Sequence, residues 1–340
     1  MAKSLPKIIL LFAGGSTLQI EGGGVMTVNS PKDIQAWMDQ VPELALIAKV
    51  EPVFVMPDGK HIEIPDWNIL AQKVLQYTDD YDGFVILQGV DTMLYTSAFL
   101  SYVLKDLAKP VVITGSPLTP TLQAAKEAEK ATINYRNLGV RANLINAIQV
   151  STFKVPEVTI AFGNQVIRAN RARKSPNISF NMFDADERDV MGRVDFGIKL
   201  KSESEKTVEP KKIHLTEVKP ANLKILTIHP TFEPEELNEA IKNLPDGILI
   251  QTFMQEGWPE SLQYLLKVAN DKEIPVVVLN PYFALATKLP NVQMVSGISL
   301  EALYAKFLWA LSKARNPQIV LQLISQNRAG EFGLEEKKAK

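Results

Sequence analysis

The sequence predicts an α/β protein in two domains, a larger N-terminal doubly wound domain and a smaller C-terminal α/β domain. Three observations carry this. Short apolar runs end in glycine turns, stretches of helical period lie between them, and one charged aperiodic stretch interrupts the alternation. A chain of 340 residues also exceeds one ordinary core and suits two of roughly 150 residues each.

Lys7–Phe12 (KIILLF), closed by Ala13-Gly14-Gly15, has the continuous apolar pattern of a strand buried on both faces. Ser30-Pro31-Lys32-Asp33 supplies an N-cap, a first-turn proline and a first-turn acid, and Ile34, Trp37, Met38 and Val41 follow at helical spacing. Val50–Met56 reads as the next strand. Asp66 to Asp80 reads as a helix with Trp67, Leu70, Ala71, Val74 and Leu75 on one face, and Gly83–Leu87 as a strand. Asp91 to Leu107 is expected to be helical, and Pro110–Thr114 is a buried strand closed by Gly115. Residues 121–137, rich in Ala, Lys and Glu, read as an exposed helical insertion ahead of a helix at Arg141–Thr152. Glu157–Phe162 and Gln165–Ile167 flank Gly163-Asn164, the pattern of two strands around a tight turn.

Lys199–Lys212 is charged and lacks apolar periodicity, so the boundary belongs there: residues 1–198, a linker over 199–222, and residues 223–340. Beyond it the alternation resumes. Strands are expected at Lys224–Ile228, Gly247–Thr252 and Val276–Asn280, with helices at Pro234–Asn243, Ser261–Asn270 and Ser299–Lys313.

Composition excludes several classes of function. Lys and Arg number 37 against 38 Asp and Glu, a formal net charge of -1 that leaves no basic excess for nucleic acid or an anionic membrane. Cysteine is absent, which removes disulfides, thiolate nucleophiles and zinc–thiolate sites. His61, His214 and His229 are far apart in sequence and read as ordinary surface or loop residues, so no metal is expected. No apolar stretch reaches the ~18 residues of a spanning helix, and Ile8 to Ala13 is too short for a signal h-region, so a cytoplasmic location is expected.

Doubly wound domains place ligands outside the carboxyl ends of their strands, which directs attention to Ala13–Thr17, Gln88–Thr92 and Gly115–Thr119. Gly14-Gly15-Ser16-Thr17 lacks the Lys-Ser/Thr pair of a phosphate loop and the third glycine of a dinucleotide site, so no nucleotide cofactor is expected. The glycines by themselves permit a tight exit from the strand, but two consecutive hydroxyls remain at the ligand end. A hydroxyl there is a candidate nucleophile if a base activates it, and lysines or carboxylates at other strand ends are the candidates. Asp91 is one, or else the N-cap of the following helix. Arg168, Arg171, Arg173 and Lys174 read by default as a solvated charged face, although a lysine near Asp91 would have its charge compensated.

In order along the chain these residues resemble the bacterial-type L-asparaginases, nearer the cytoplasmic type I branch. Ala13-Gly14-Gly15-Ser16 resembles the family's Thr-Gly-Gly-Thr turn, and Gln88-Gly89-Val90-Asp91-Thr92-Met93 its His-Gly-Thr-Asp-Thr-Met motif. Lys109 to Gly115 is similar to its Lys-Pro-Val-Val-x-Thr-Gly stretch, and Ala169 to Lys174 to its Gly-Asn-Arg-Ala-Thr-Lys. Val295-Ser296-Gly297 with Leu300–Lys306 is similar to the entry of its last helix. The resemblance implies an asparaginase-like two-domain fold and attack on a side-chain amide by a first-loop hydroxyl, assisted by a Thr–Asp–Lys set. Carried over, the nucleophile is Ser16, the Asp is Asp91, the Lys is Lys174, and the assisting Thr is replaced by Val90. Valine keeps the volume of threonine and loses its hydrogen bonding.

Other positions depart in the same direction. The loop Gly22–Thr27 holds no counterpart of the family's activating Tyr, and the substrate-carboxylate Ser becomes Gly59. Gln88 and Ser116 complete the substrate-binding set carried over with Gly59 and Val90, while Thr17, Thr27 and Thr92 are hydroxyls able to stand in for the missing one. The resulting expectation is a divergent family member, impaired or silent toward L-asparagine. The alternative is an active amidohydrolase using Ser16 on L-asparagine or a related amide. An ammonia-supplying subunit of a tRNA amidotransferase would require the intact Thr-containing set and a dedicated N-terminal extension, and neither is read here. The resemblance further implies a small-molecule amide or amino acid as ligand, a homodimer or homotetramer, an Asp91–Lys174 ion pair, and Ser16 facing the same cavity.

Overall fold

A computed structural model describes residues 4–20, 24–116, 139–175, 181–195, 197–205, 207–209, 211–229, 232, 234–253, 260–284 and 287–333. The chain divides into two compact units, Met1–Leu215 and Thr216–Lys340. The stretch 121–137, expected as a helical insertion, lies outside the described residues.

In the first unit, β1 (Lys7–Ala13) is followed by a short antiparallel pair, β2 (Leu18–Gln19) and β3 (Val25–Met26). Then come β4 (Lys49–Met56), β5 (Gly83–Gln88), β6 (Val111–Thr114), β7 (Val158–Phe162), β8 (Gln165–Arg168), β9 (Arg173–Lys174), β10 (Phe183–Asp184), β11 (Val190–Val194) and β12 (Ile198–Leu200). Among the described residues eight of these form one sheet in the order β12-β11-β8-β7-β6-β5-β1-β4. The strands from β4 to β7 run parallel, and β7, β8, β11 and β12 continue antiparallel. The arrangement follows from composition. β1, β5 and β6 are apolar and buried along almost their whole length, as strands covered on both faces must be. Gly163, at φ +61, opens the two-residue turn joining β7 to β8, where an L side chain would be strained.

Helices cover both faces. The segment beginning at Ser30 is a short 3₁₀ turn, Pro31–Asp33, that runs into a helix over Ile34–Met38. Trp37 from that helix packs edge-on against Phe12 of β1, ring centroids 5.2 Å apart. The helix Ile64–Gln76 buries Trp67, Leu70, Ala71 and Val74, the face its spacing predicts. The next helix spans Met93–Val103 with Thr92 at its N-cap, so Asp91 lies outside it and does not cap it. That helix is buried all round. Its Ser97 and Ser101 hydroxyls donate to the carbonyls of Leu94 and Ser97, which satisfies polar groups that burial would otherwise leave without partners.

The edge strand β12 carries the first sheet to Leu200, past residue 198, where composition turns charged. Antiparallel pairing here rests on exposed and half-exposed residues, a pattern that apolar periodicity does not register.

The second unit is a four-stranded parallel sheet, β13 (Leu223–Thr227), β14 (Gly247–Gln251), β15 (Val276–Leu279) and β16 (Val292–Val295), ordered as in sequence. Helices over Pro234–Lys242, Glu260–Asp271 and Leu300–Lys313 separate or follow the strands as expected. Ser299 caps the last of these by accepting from Ala302 N. A further helix, Pro317–Ser325, is entered through Asn316, whose Oδ1 accepts from Gln318 N and Ile319 N. The Asn-Pro step that starts it is a cap followed by a first-position proline, a signal present in the sequence.

Candidate active site

The carboxyl ends of β1, β5 and β6 meet closely, as the parallel order requires. Gly15, at φ +70, lies so near β5 that a Cβ added to it would collide with the Gln88 carbonyl, and a Cβ on Gly115 would collide with the same carbonyl. The Ser116 backbone N–H donates to Gly15 O at 3.2 Å. Behind this crossing, Asn143 Nδ2 donates to Gly115 O at 3.0 Å and Gly163 N donates to Asn143 Oδ1 at 3.1 Å, tying the β6 and β7 ends together. The glycines therefore bring three loops together at one end of the sheet.

Ser16 sits within this crossing and is almost fully buried, 1% exposed. Its backbone N–H donates to Asp58 Oδ1 at 3.0 Å, and its carbonyl accepts from Trp37 Nε1 at 2.7 Å. Its Oγ accepts from the Val28 N–H at 3.0 Å. Asp58 N in turn donates to Val28 O at 3.1 Å, so Ser16, Val28 and Asp58 form a closed ring of hydrogen bonds. Ser16 was expected to face a cavity shared with Asp91 and Lys174; its hydroxyl instead engages the buried N–H of Val28. The cause is the extended segment after β3, which passes over the first-loop turn and presents a backbone donor there.

Thr17 is also buried, and its Oγ1 donates to Asp58 Oδ2 at 2.9 Å. One carboxylate thus holds both consecutive first-loop residues. Asp58 follows β4 by two residues at the ligand end of the sheet, much as Asp91 follows β5 by three. An acid just past a strand's carboxyl end is the signal the sequence offers for Asp58.

Asp91 and Lys174 are both exposed, and they form no ion pair with each other among the described residues. The expected pairing is thus corrected by the geometry. Lys174 lies in β9, a two-residue strand paired with β10 through Phe183, which turns its side chain to solvent. The basic cluster also divides. Arg168 is buried and donates to Glu157 at 2.8 Å, and Arg171 donates to the buried Asp189 at 2.9 Å, so these two tie the end of β8 and the turn after it to the entries of β7 and β11. Only Arg173 and Lys174 match the solvated face that the charge run predicts.

The remaining carried-over positions are distributed as follows. Gln88 is fully buried, and its Nε2 donates to Thr96 Oγ1 at 2.9 Å and to Thr92 Oγ1 at 3.2 Å, which braces the start of the Met93–Val103 helix. Val90 is half-buried beside Asp91, and Gly59, at φ +75, has open space where a side chain would project. Ser116 is buried. Thr27 Oγ1 accepts from Asn29 Nδ2 at 2.8 Å. The hydroxyls of Thr17, Thr27 and Thr92 are therefore all engaged within the chain. His61, His214 and His229 are exposed, and no group of three His, Cys, Asp or Glu side chains that could hold a metal occurs among the described residues.

Comparison with known proteins places this geometry. A family model described as Asparaginase, N-terminal, matches residues 7–206. L-asparaginase 1 of Escherichia coli strain K12 is 26% identical over 298 residues, covering 81% of this chain and 82% of that protein. The L-asparaginase of Thermococcus kodakarensis is 25% identical over 332 residues, covering 92% of this chain and 97% of that protein. The crystal structure of L-asparaginase I from Vibrio cholerae superposes with a TM-score of 0.78 at 24% identity, covering 97% of this chain and all of that one, and so shows the two-domain α/β fold.

Proposed function

The chain belongs to the asparaginase family, and on that premise we propose that it is a divergent member whose hydrolysis of L-asparagine is impaired or silent. One observation carries this: Ser16 spends its N–H, carbonyl and Oγ on Asp58, Trp37 and Val28. A nucleophilic hydroxyl must aim at substrate and pass its proton to a base, and no carboxylate or amine contacts Ser16 Oγ among the described residues. Val90 contributes no hydroxyl, and Asp91 and Lys174 do not pair. Loss of one preorganised hydrogen-bonding group costs roughly 10²–10³ in rate, so turnover of L-asparagine is expected to be lower than that of an intact family member by about 10³ or more.

A second reading has support in the residues themselves. Asp91 and Lys174 are retained at the positions the resemblance implies, and Ser16 keeps a hydroxyl where the family has Thr, which favours an amidohydrolase acting on L-asparagine or a related small amide. Ammonia release from L-asparagine and L-glutamine by wild type and Ser16→Ala separates the two. Turnover near that of an ordinary asparaginase, abolished by Ser16→Ala, promotes the second reading. Background release from both proteins supports the first.

We also propose a homodimer or homotetramer, on the strength of the family resemblance, since an isologous pair is the commonest way to complete a site from two copies. A monomer in sedimentation at micromolar concentration overturns this.

A further inference from the structure

We propose that Asp58 sets the ligand class of this site: its fixed carboxylate disfavours free amino acids and selects small amides that carry an amino cation and no carboxylate. The inference rests on the site assignment above, and it concerns what binds there rather than how fast it reacts.

Asp58 is not a mobile surface acid. Its two oxygens are held at 3.0 Å from Ser16 N and 2.9 Å from Thr17 Oγ1, so the charge stands beside the carried-over nucleophile in one geometry. Both donors are neutral, so the hydrogen bonds orient the charge without cancelling it. No cation pairs with Asp58 among the described residues. The nearest lysine in sequence, Lys60, is committed to Asp66 at 2.5 Å, and Lys174 is exposed. Asp91, in the β5 loop on the other side of β1, also lacks an ion-pair partner among the described residues, so two carboxylates without ion-pair partners flank the first-loop turn.

The chemistry of the ligand makes this consequential. In L-asparagine only a few covalent bonds separate the side-chain amide carbon from the α-carboxylate. An amide bound at this end of the sheet, beside the first-loop turn, therefore brings its own carboxylate within a Debye length of Asp58, where a half-buried charge is poorly screened. Gly59, the adjoining residue, offers no side-chain donor to hold such an anion. An α-ammonium meets the opposite condition and is attracted. Capping the carboxylate as an ester or amide removes the repulsion and keeps the cation.

The test is calorimetric titration of the intact protein with three probes: L-asparagine, L-asparagine amide, whose carboxylate is capped, and succinamate, which has the carboxylate and no amino group. The expected order is L-asparagine amide tightest, by about tenfold or more over L-asparagine, with succinamate weakest. Asp58→Asn should narrow the first gap severalfold, and raising salt from 0.05 to about 0.5 M should narrow it in the wild type. Succinamate or L-asparagine binding as tightly as the capped amide overturns the proposal, as does no binding of any probe. A preference unchanged by salt overturns it even if Asp58→Asn fails to fold, which circular dichroism reveals. Ammonia release is scored separately. Fast release from L-asparagine refutes the impaired reading, whereas the order of affinities decides the role of Asp58.

Discussion

Two lysine–carboxylate pairs behave in opposite ways. In the second unit Lys306 and Glu331 are both completely buried and ion-paired, and Glu331 also accepts from the backbone N–H groups of Arg328 and Ala329 at 3.1 and 2.7 Å. Lys306 reaches the carbonyl of Gln326 as well and lies over the Phe332 ring, 4.5 Å from its centroid. In the first unit Asp91 and Lys174, the pair that family resemblance implies, remain exposed and apart. The difference teaches that retention of charged residue types does not assemble a site. Lys306 and Glu331 are held because burial without partners is intolerable, whereas an exposed pair gains little from meeting and pays side-chain entropy to do so.

The largest expected effect breaks the contrast at its buried end. Lys306→Met leaves Glu331 charged and unpaired in the interior and should cost about 3–5 kcal/mol in denaturant unfolding. Lys174→Met should change stability by no more than about 0.5 kcal/mol. Equal losses from the two substitutions would show that Lys174 is as deeply engaged as Lys306.

Next in size is Ser16→Ala. If Ser16 is scaffold, the buried Val28 N–H loses its acceptor and unfolding free energy falls by about 1–3 kcal/mol, while ammonia release from L-asparagine stays at background. A variant as stable as wild type but with reduced turnover would instead mark Ser16 as the nucleophile.

Val90→Thr sharpens the comparison on the catalytic side. It restores a hydroxyl of nearly the original volume beside Asp91 without moving Lys174, so turnover of L-asparagine should rise by less than about tenfold. A rise of 10² or more, measured by ammonia release, would mean that the missing hydroxyl alone silences the site.

The smallest effect is a pH dependence at the sheet edge. Tyr81 Oη donates to Glu51 Oε2 at 2.6 Å, and this hydrogen bond to the carboxylate, with lesser contributions from desolvation and nearby acids, pushes the phenol up to about 12. Because the folded value lies above the ordinary 10, the contribution to stability is complete below pH 10 and is lost as pH rises through about 12. Burial also raises Tyr304, so in an ultraviolet titration of phenolate the Tyr81 contribution is identified as the late-ionising component that Glu51→Gln brings back toward 10.

Much of the fold was legible because burial writes itself into apolar pattern. The runs at Ile8–Phe12, Gly83–Leu87 and Val111–Thr114 are strands, and the face of Trp67, Leu70, Ala71 and Val74 is the buried side of a helix. The short pairs β2–β3 and β9–β10 were not legible, since two-residue strands carry no period and form where loops happen to pass each other. β16 was missed for a related reason: Val292–Val295 is brief, and its middle is broken by Gln293. The start of the Met93–Val103 helix was misplaced because Asp91 and Thr92 are both good cap types, and the choice between them is made by Gln88 bracing Thr92.

At the candidate site the sequence by itself determined which chemistry is absent, a hydroxyl at position 90 and any thiol, and at which strand ends a ligand belongs. It also marked Gly14, Gly15 and Gly115 as strand-end turns, and the structure adds that the backbones at Gly15 and Gly115 crowd the Gln88 carbonyl. Only the tertiary structure decided what Ser16 does with its hydroxyl, that Asp58 holds the first-loop turn, and that Lys306 is interior. The physical reason is range. Apolar periodicity is a local property of a strand or helix, whereas the partners of Ser16 stand 12, 21 and 42 residues away and meet it only once neighbouring strands and loops are in register.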